Sequence, residues 1–209
     1  MKVIAINGSP NKNGNTAYAL KTVGAALQKE GIEFEILEVG GKRIRGCIGC
    51  DQCSEQQNMQ CQFTDDVVNE SVAKMVAADG IVIGSPVYYS GIAGTMKSFL
   101  DRSFYVAATN GAKFRHKVGA SVVAVRRTGG SATFNGLNHY LNVSEMLVPS
   151  SNYWNVIHGL ELGDAAQDAE GVQIMQTLGE NMAWLLKMRE AGKKTEPAGV
   201  EKIYTNFIR

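Results

Sequence analysis

Four short runs of β-branched and other apolar residues alternate with segments of helical apolar spacing, and this alternation restricts the fold more than any other feature of the chain. The runs are KVIAI (2–6), FEILEV (34–39), IVI (81–83) and VGASVVAV (118–125). Strands that alternate with helices at this pitch are typical of βαβ units, whose strands are parallel. We therefore predict an α/β fold, a doubly wound five-stranded parallel sheet in the order 2-1-3-4-5 with helices on both faces.

The segments between these runs are assigned to helices, loops and one further strand. Gly31 supplies a stop signal for the first helix, and Asp65 and Asp66 suit the N-terminus of a later one. Pro86 is expected to end the third strand. The other predicted elements are helices over 16–29, 94–104 and 172–189, a loop and helix over 126–146, and a last strand over 147–154.

Length and charge exclude several classes of protein. With 209 residues the chain can bury a full core, so we expect one domain over 1–192, containing a cysteine-rich loop at 47–61 and followed by a tail at 193–209. The net charge of +1 creates no global field for nucleic acid or an anionic membrane, so neither is expected as a partner. No apolar run approaches the roughly 18 residues of a membrane span, and the N-terminus lacks a secretory apolar region. We therefore expect a cytoplasmic protein.

The first strand ends in the polar loop GSPNKNGNT (8–16). In an open α/β sheet, ligands bind outside the carboxyl ends of the strands, where the strand order reverses. The glycines, Ser9, Asn15 and Thr16 place N–H groups, hydroxyls and an amide at a helix N-terminus, which suits a phosphate monoester. The loop is neither a P-loop nor a G-x-G-x-x-G fingerprint. Taken alone, it is explained equally well as a polar turn with helix caps.

Two further loops are expected at the same edge of the sheet. SPVYYSGIAG (85–94) carries adjacent tyrosines and a glycine pair, which suit a planar aromatic ligand, although the tyrosines could simply cover the sheet edge. RRTGGSAT (126–133) carries two cations and a double glycine, and alone it is explained as a solvated turn. Together the three loops fit a phosphorylated flat ring, and FMN matches that description.

Two of these segments resemble a known family. GSPNKNGNT resembles the GSPR-x-x-GNT phosphate loop of the NAD(P)H-dependent FMN reductases, and SPVYYSGIAGTMKSFLDR resembles their P-x-Y segment followed by a K-x-[FLI]-[FLIM]-DR helix. The resemblance extends over residues 2 to about 187 and implies a flavodoxin-like fold. It implies phosphate contacts from Ser9, Asn11, Asn15 and Thr16, ring contacts from Pro86, Val87, Tyr88, Tyr89 and Gly91, and contacts on the other side from Thr128, Gly129 and Gly130.

The chain departs from the family pattern directly after GSP. Asn11 stands where the family usually has arginine, so the guanidinium contact is either absent or supplied by Lys12. A second departure is the long segment 126–141, in which the family varies. The DR dipeptide of the second signature, Asp101 and Arg102, is a candidate for a subunit contact.

All four cysteines of the chain fall between residues 47 and 61, at Cys47, Cys50, Cys53 and Cys61. A reducing compartment disfavours disulfides, and zinc sites usually separate two ligand pairs by a dozen or more residues. A C-x2-C-x2-C coil wraps a four-iron four-sulfur cluster in bacterial ferredoxins. On the residues alone, a cluster, zinc, a disulfide and unligated thiols all stay open.

The same spacing also resembles the compact C-x2-C-x2-C-x(4 to 7)-C motif of the iron-sulfur flavoproteins, a branch of the same superfamily. The resemblance implies that Cys47, Cys50, Cys53 and Cys61 are metal ligands of a 4Fe-4S cluster. It implies an oxidoreductase that moves electrons through FMN, with NAD(P)H or ferredoxin as the donor and a small molecule or a protein as redox partner. No catalytic acid or base is then required. Asp51, Arg126 and Arg127 are candidates for tuning potentials by charge, although for Asp51 we favour the simpler reading of a solvated loop residue.

Two alternatives to this function remain, and the second belongs to another class. One is a cluster-free NAD(P)H-dependent FMN or quinone reductase. The other is a non-catalytic module that binds a phosphorylated ligand or a partner protein, with zinc or free thiols in the cysteine loop. In the FMN reductases a second subunit commonly completes the flavin pocket, so the resemblance also implies a homodimer or homotetramer.

Overall fold

The computed structural model describes residues 1–205 of the chain, and its elements alternate as the sequence indicates. The strands are Lys2–Asn7 (β1), Glu33–Glu38 (β2), Gly80–Tyr88 (β3), Gly91–Ile92 (β4), Val118–Val125 (β5) and Val156–His158 (β6). The α-helices are Asn15–Lys29 (α1), Gln52–Gln56 (α2), Val68–Ala77 (α3), Gly94–Thr109 (α4), Gly130–Val143 (α5) and Ala169–Gly192 (α6). Short 3-10 helices span Asp164–Gln167 and Lys193–Thr195.

Five of the strands form one parallel sheet in the order β2-β1-β3-β5-β6. The two-residue β4 pairs only with β3, antiparallel, as the second strand of a tight hairpin. When β4 is set aside, the order becomes 2-1-3-4-5, so the predicted doubly wound topology is confirmed.

Helices cover both faces of the sheet because successive residues of a strand point to opposite sides. Ile4 and Ile6 of β1 face a core that includes residues of α3, α4 and α5. Val3 and Ala5 face the opposite core, which includes residues of α1 and α6. The apolar runs within β1, β3 and β5 follow from this burial on both sides.

Two strand predictions are wrong. β3 continues through Pro86 to Tyr88 instead of ending there. Beyond Gly84 the strand β1 no longer flanks β3, so the missing proline N–H removes no hydrogen bond on that side. The last strand lies at Val156–His158 and not at 147–154, where Pro149 interrupts pairing and Ser151 instead donates from its hydroxyl to the Asn155 side chain at 2.7 Å.

The helix predictions agree with the structure except at their ends and in the cysteine segment. The closing helix α6 is longer than predicted, and the short α2 within the cysteine segment has no strong sequence signal. After α6, the carbonyl groups of Pro197 and Ala198 accept hydrogen bonds from Arg115 of the same chain. Residues of the predicted tail beyond 205 lie outside the described part. None of the described helices is both long and apolar enough to cross a membrane.

Candidate functional site

A cleft of about 380 Å³ opens at the carboxyl ends of β1, β3 and β5. Its walls come from the loop after β1, the ends of β3 and β5, and the loop after β6. Seven of the twelve predicted cofactor contacts line it, namely Ser9, Asn11, Asn15, Thr16, Pro86, Val87 and Tyr88. The parallel topology thus brings residues far apart in sequence to one edge of the sheet.

The loop after β1 is shaped by its own polar groups. The Ser9 N–H donates to Asn7 Oδ1 at 3.1 Å, and the Asn11 N–H donates to Ser9 Oγ at 3.2 Å. Ser9 and Thr16 are both buried. The N-cap of α1 is Gly14, which has no side chain that could accept from the first-turn N–H groups. These groups are therefore available to an anion.

Asn15 has partners that the sequence did not indicate. Its Nδ2 donates to the Glu161 carbonyl at 3.1 Å, and its Oδ1 accepts from the Ala165 N–H at 3.2 Å. Both ends of the amide are thus engaged with the segment after β6. In this arrangement Asn15 fixes one wall of the cleft, and its contact with a phosphate stays a prediction.

The hairpin between β3 and β4 has an unusual backbone. Tyr89 and Ser90 both have positive φ, 45° and 67°, although neither is glycine. Positive φ at both central residues gives a two-residue hairpin turn of the primed type. Tyr88 lines the cleft, whereas Tyr89 projects fully into solvent and neither it nor Gly91 lines the cleft.

Thr128, Gly129 and Gly130 line a neighbouring cavity of about 500 Å³. Val125 lines both this cavity and the cleft. Gly129 has a φ of 88°, and a Cβ there would lie 2.9 Å from Val87 Cγ1. The loop at 126–133 therefore packs against the loop at 85–94, but its Thr128, Gly129 and Gly130 face the neighbouring cavity and not the cleft. Arg126 lines the cleft and Arg127 lines the neighbouring cavity.

Sequence reasoning missed the loop after β6. Four residues of this loop line the cleft and were not predicted as site residues, namely Gly159, Leu160, Glu161 and Leu162. The cause is the misplaced last strand, because a strand over 147–154 puts the following loop in the wrong part of the chain. A correctly placed β6 would have indicated this loop, since parallel strands end at a common edge.

The four cysteines line a third, small cavity, beside α4. Cys53 and Cys61 are buried, whereas Cys47 and Cys50 are exposed. The segment curls around this cavity through several left-handed residues, namely Gly49, Asp51, Gln57 and Met59. Left-handed residues reverse the chain locally, which is what wrapping a small object demands.

Hydrogen-bond donors reach the cysteine sulfurs. Arg102 Nε donates to Cys61 Sγ at 3.3 Å, Gln62 Nε2 to Cys50 Sγ at 2.9 Å, and the Gly49 N–H to Cys47 Sγ at 3.5 Å. Burial raises the pKa of the Cys53 thiol, and a hydrogen bond with the Thr109 side chain opposes that shift. Within residues 1–205, no three His, Cys, Asp or Glu side chains are arranged to hold a single metal ion.

Asp51 connects the cysteine segment to α4. The Tyr105 hydroxyl donates to Asp51 Oδ1 at 2.6 Å. This hydrogen bond, together with burial, raises the pKa of Tyr105 to about 12. Asp51 therefore has a definite partner and is more than a solvated loop residue.

The sequence model of one protein family, described as NADPH-dependent FMN reductase, matches residues 1–161 of this chain. The matched part includes the cleft loops up to Glu161 and all four cysteines. The chain belongs to the FMN reductase family. Its curated relatives include an iron-sulfur flavoprotein of Methanocaldococcus jannaschii, 35% identical over 90% of this chain and 98% of the relative. Another is an iron-sulfur flavoprotein of Methanosarcina thermophila, 30% identical over 90% of this chain and 96% of the relative.

Solved structures confirm the flavodoxin-like fold of this FMN reductase family member. RosB with bound 8-demethyl-8-formylriboflavin-5'-phosphate aligns with a TM-score of 0.71 at 15% identity, over 100% of this chain and 92% of RosB. A flavodoxin from the domain Archaea aligns with a TM-score of 0.58 at 16% identity, over 90% of this chain and 99% of the flavodoxin. The prediction of a flavin-dependent oxidoreductase with an FMN cofactor is confirmed by membership of the family.

Proposed function

We propose that this FMN reductase family member works as an iron-sulfur flavoprotein, transferring electrons between a reduced donor and an acceptor. Cys47, Cys50, Cys53 and Cys61 would hold a 4Fe-4S cluster. The observation that carries the proposal is that all four thiols line one cavity. It is supported by iron-sulfur flavoproteins that match this chain over nearly their whole length.

The flavin is assigned to the 380 Å³ cleft. Ser9, Thr16 and the uncapped N–H groups of α1 would hold its phosphate, because hydroxyls and helix N-termini suit a doubly charged oxyanion. Pro86, Val87 and Tyr88 would border the ring. The bound flavin supplies exchange between two-electron and one-electron chemistry, and the chain supplies position and electrostatics.

The spacing of the four cysteines, which line one cavity, suits a cluster better than a single zinc ion. Zinc binds sulfur at about 2.3 Å, so its four ligands must converge closely on one point. Zinc sites usually separate two ligand pairs by a dozen or more residues, whereas Cys47, Cys50 and Cys53 follow one another at two-residue spacing. A cube of four irons is larger and takes thiolates from around its surface. The N–H donors at three of the sulfurs suit ligating thiolates.

A cluster-free reductase is a second candidate. The chain is 25% identical to an NADPH azoreductase of Bacillus sp., over 93% of this chain and 98% of that enzyme. In this reading NAD(P)H reduces the flavin directly and the cysteines hold no metal. In the iron-sulfur reading, ferredoxin or NAD(P)H is the donor, and a small molecule or a protein is the redox partner.

Anaerobic purification followed by iron, sulfide and flavin analysis tests the proposal. We expect about four irons and four sulfides per chain, together with flavin absorption and a broad iron-sulfur band. Flavin bands without iron would favour the cluster-free reductase. A colourless protein that binds no added FMN would contradict the assignment of the cleft.

Substitution of single residues then assigns the ligands. Cys50→Ala removes an exposed thiol, so we expect the protein to fold, to keep its FMN and to lose most of its iron. Glu55→Gln is a matched control, because Glu55 lies in α2 of the same segment and is exposed. Full iron content in Cys50→Ala would remove the cluster assignment.

Binding of FMN and riboflavin to the flavin-free protein tests the phosphate contacts. If the first loop grips the phosphate, riboflavin should bind at least about a hundredfold more weakly, since every 1.4 kcal/mol is a factor of ten. Equal affinity for the two flavins would show that the loop does not hold a phosphate.

A further inference from the structure

Arg102, on α4, is the largest of the fully buried side chains, with 1% exposure. The DR dipeptide was a candidate for a subunit contact, but this arginine faces the interior of its own chain. A buried cation is unfavourable unless it is paired and its N–H groups are satisfied. The contacts of Arg102 therefore indicate what it does.

All five N–H groups of the guanidinium find acceptors. Nε donates to Cys61 Sγ at 3.3 Å. Nη1 donates to the Arg45 carbonyl at 3.3 Å and to Asp66 Oδ2. Nη2 donates at 3.2 Å to both the Phe63 carbonyl and Asp66 Oδ1. The guanidinium thus joins one thiol, one carboxylate and two main-chain carbonyls.

These partners bracket the cysteine segment. Arg45 precedes Cys47, while Cys61, Phe63 and Asp66 close the segment ahead of α3. One side chain, fixed on a helix of the core, therefore ties both ends of the segment together. The Phe63 ring also lies close to two guanidinium groups, with Arg45 at 4.3 Å and Arg102 at 5.3 Å from its centroid.

The charge of Arg102 lies beside one prospective cluster ligand. The Asp66 carboxylate partly neutralises this charge through a bidentate ion pair with Arg102, and the Asp66 side chain is only 4% exposed. Water therefore screens neither charge strongly. A positive charge and an N–H donor at a ligating sulfur favour the reduced, more negative state of a cluster.

We propose that Arg102 is a positioning residue that orients the Cys61 thiol toward the cluster and raises the cluster's reduction potential. The negative charge of Asp66 lowers that potential and so partly cancels the effect of Arg102. The inference rests on the proposed iron-sulfur function. It predicts opposite shifts when either charge of the pair is removed, because the two charges act on the cluster with opposite signs.

Anaerobic redox titration of the purified proteins tests this inference. Arg102→Met should lower the iron content or shift the cluster's midpoint potential to more negative values. Asp66→Asn keeps nearly the same shape and leaves the arginine charge in place, so the potential should shift to more positive values. Arg102→Lys keeps the positive charge but loses the planar guanidinium with its five N–H donors. The midpoint potential of its cluster should therefore lie closer to wild type than that of Arg102→Met.

Arg45→Met is the matched control. It removes an arginine of the same segment that is exposed, while its main-chain carbonyl still accepts from Arg102. We expect a smaller shift, because solvent screens an exposed charge. The FMN content should equal that of wild type in all four variants, since Arg102, Asp66 and Arg45 are not among the residues that line the cleft.

The outcomes separate this inference from the proposed function. A wild-type protein without iron overturns both. A wild-type cluster whose potential is unchanged in Arg102→Met and Asp66→Asn, or moves in the same direction in both, overturns the role of Arg102 alone. If Arg102→Met does not fold, Asp66→Asn decides alone. A shift of its cluster potential to more positive values supports the role of Arg102, and an unchanged or more negative potential overturns it.

Discussion

Gly40 determines how closely the segment after β2 approaches the first loop of the cleft. A Cβ at this position would lie 2.3 Å from the Gly8 carbonyl oxygen and 2.3 Å from the carbonyl carbon of Ser9. Backbone atoms cannot move aside as a flexible side chain can, so Gly40→Ala must displace the loop. We expect a loss of about 1 to 3 kcal/mol in unfolding free energy, as for other overpacked sites. We also expect FMN binding to weaken at least about tenfold, a change of about 1.4 kcal/mol.

Gly41→Ala is the control for this prediction. A Cβ at Gly41 would lie 3.7 Å from the Pro10 carbonyl oxygen, which is an ordinary contact. Urea unfolding and flavin titration of the two variants therefore compare a blocked glycine with a tolerant neighbour. Equal flavin affinity in both variants would contradict the proposed phosphate loop.

The roles of Gly40 and Arg102 could not be predicted from the sequence. The glycines and hydroxyls of the first loop were recognised because they follow a strand and precede a helix. Arg102 in an amphipathic helix resembles any exposed cation, and only the fold brings Asp66 and Cys61 to it. Contacts between distant segments leave no periodic signal in the sequence.

The start of α6 depends on one carboxylate. Asp168 is its N-cap, with Oδ1 accepting from the Gly171 N–H at 2.9 Å and Oδ2 accepting from the His158 N–H at 2.7 Å. Asp168→Ala should therefore cost about 1 to 2 kcal/mol of stability at neutral pH. Asp168→Asn should cost less, because asparagine is also a good N-cap.

The same carboxylate makes the stability depend on acid pH. Burial opposes ionisation of Asp168, but the hydrogen bonds from Gly171 and His158 outweigh it and lower the pKa below 3.8. Because the folded pKa is lower than the unfolded one, this contribution is present above about pH 4 and is lost as the pH falls through the folded pKa. Urea unfolding at pH 7 and at pH 3 should show that the unfolding free energy falls less between these two pH values in Asp168→Asn than in wild type. An equal loss would contradict this role.

The longer strands were predictable from their apolar runs, and the two shortest strands were not. β1 and β5 are apolar on both faces, so their β-branched runs indicated them almost to the residue. β6 has only three residues at the sheet edge, and β4 has two, so neither produces a pattern. The edge of the sheet was therefore misplaced, and with it the loop after β6 that forms one wall of the cleft.

The subunit leaves a group of large apolar side chains exposed beside its cleft. Leu160 and Leu162 line the cleft yet are 58% and 72% exposed. Tyr153 and Trp154 form an edge-to-face pair, with ring centroids 4.4 Å apart, at the neighbouring cavity. Single exposed apolar residues are ordinary, but a group around a ligand site often marks an interface. The predicted homodimer or homotetramer would cover this rim with a second subunit.

Leu162→Glu tests whether the rim joins two subunits. A charge buried at an apolar contact without a partner is unfavourable, so we expect light scattering at micromolar concentration to show a shift toward monomer. Flavin affinity should fall as well, but Leu162 itself lines the cleft, so the measured mass alone tests the interface. Val143→Glu is the control, since Val143 is equally exposed but does not line the cleft, and it ends α5 shortly before Leu147, which pairs with Val118 at the start of β5. A wild-type monomer would contradict the predicted oligomer, and a Leu162→Glu variant of unchanged mass would place the interface elsewhere.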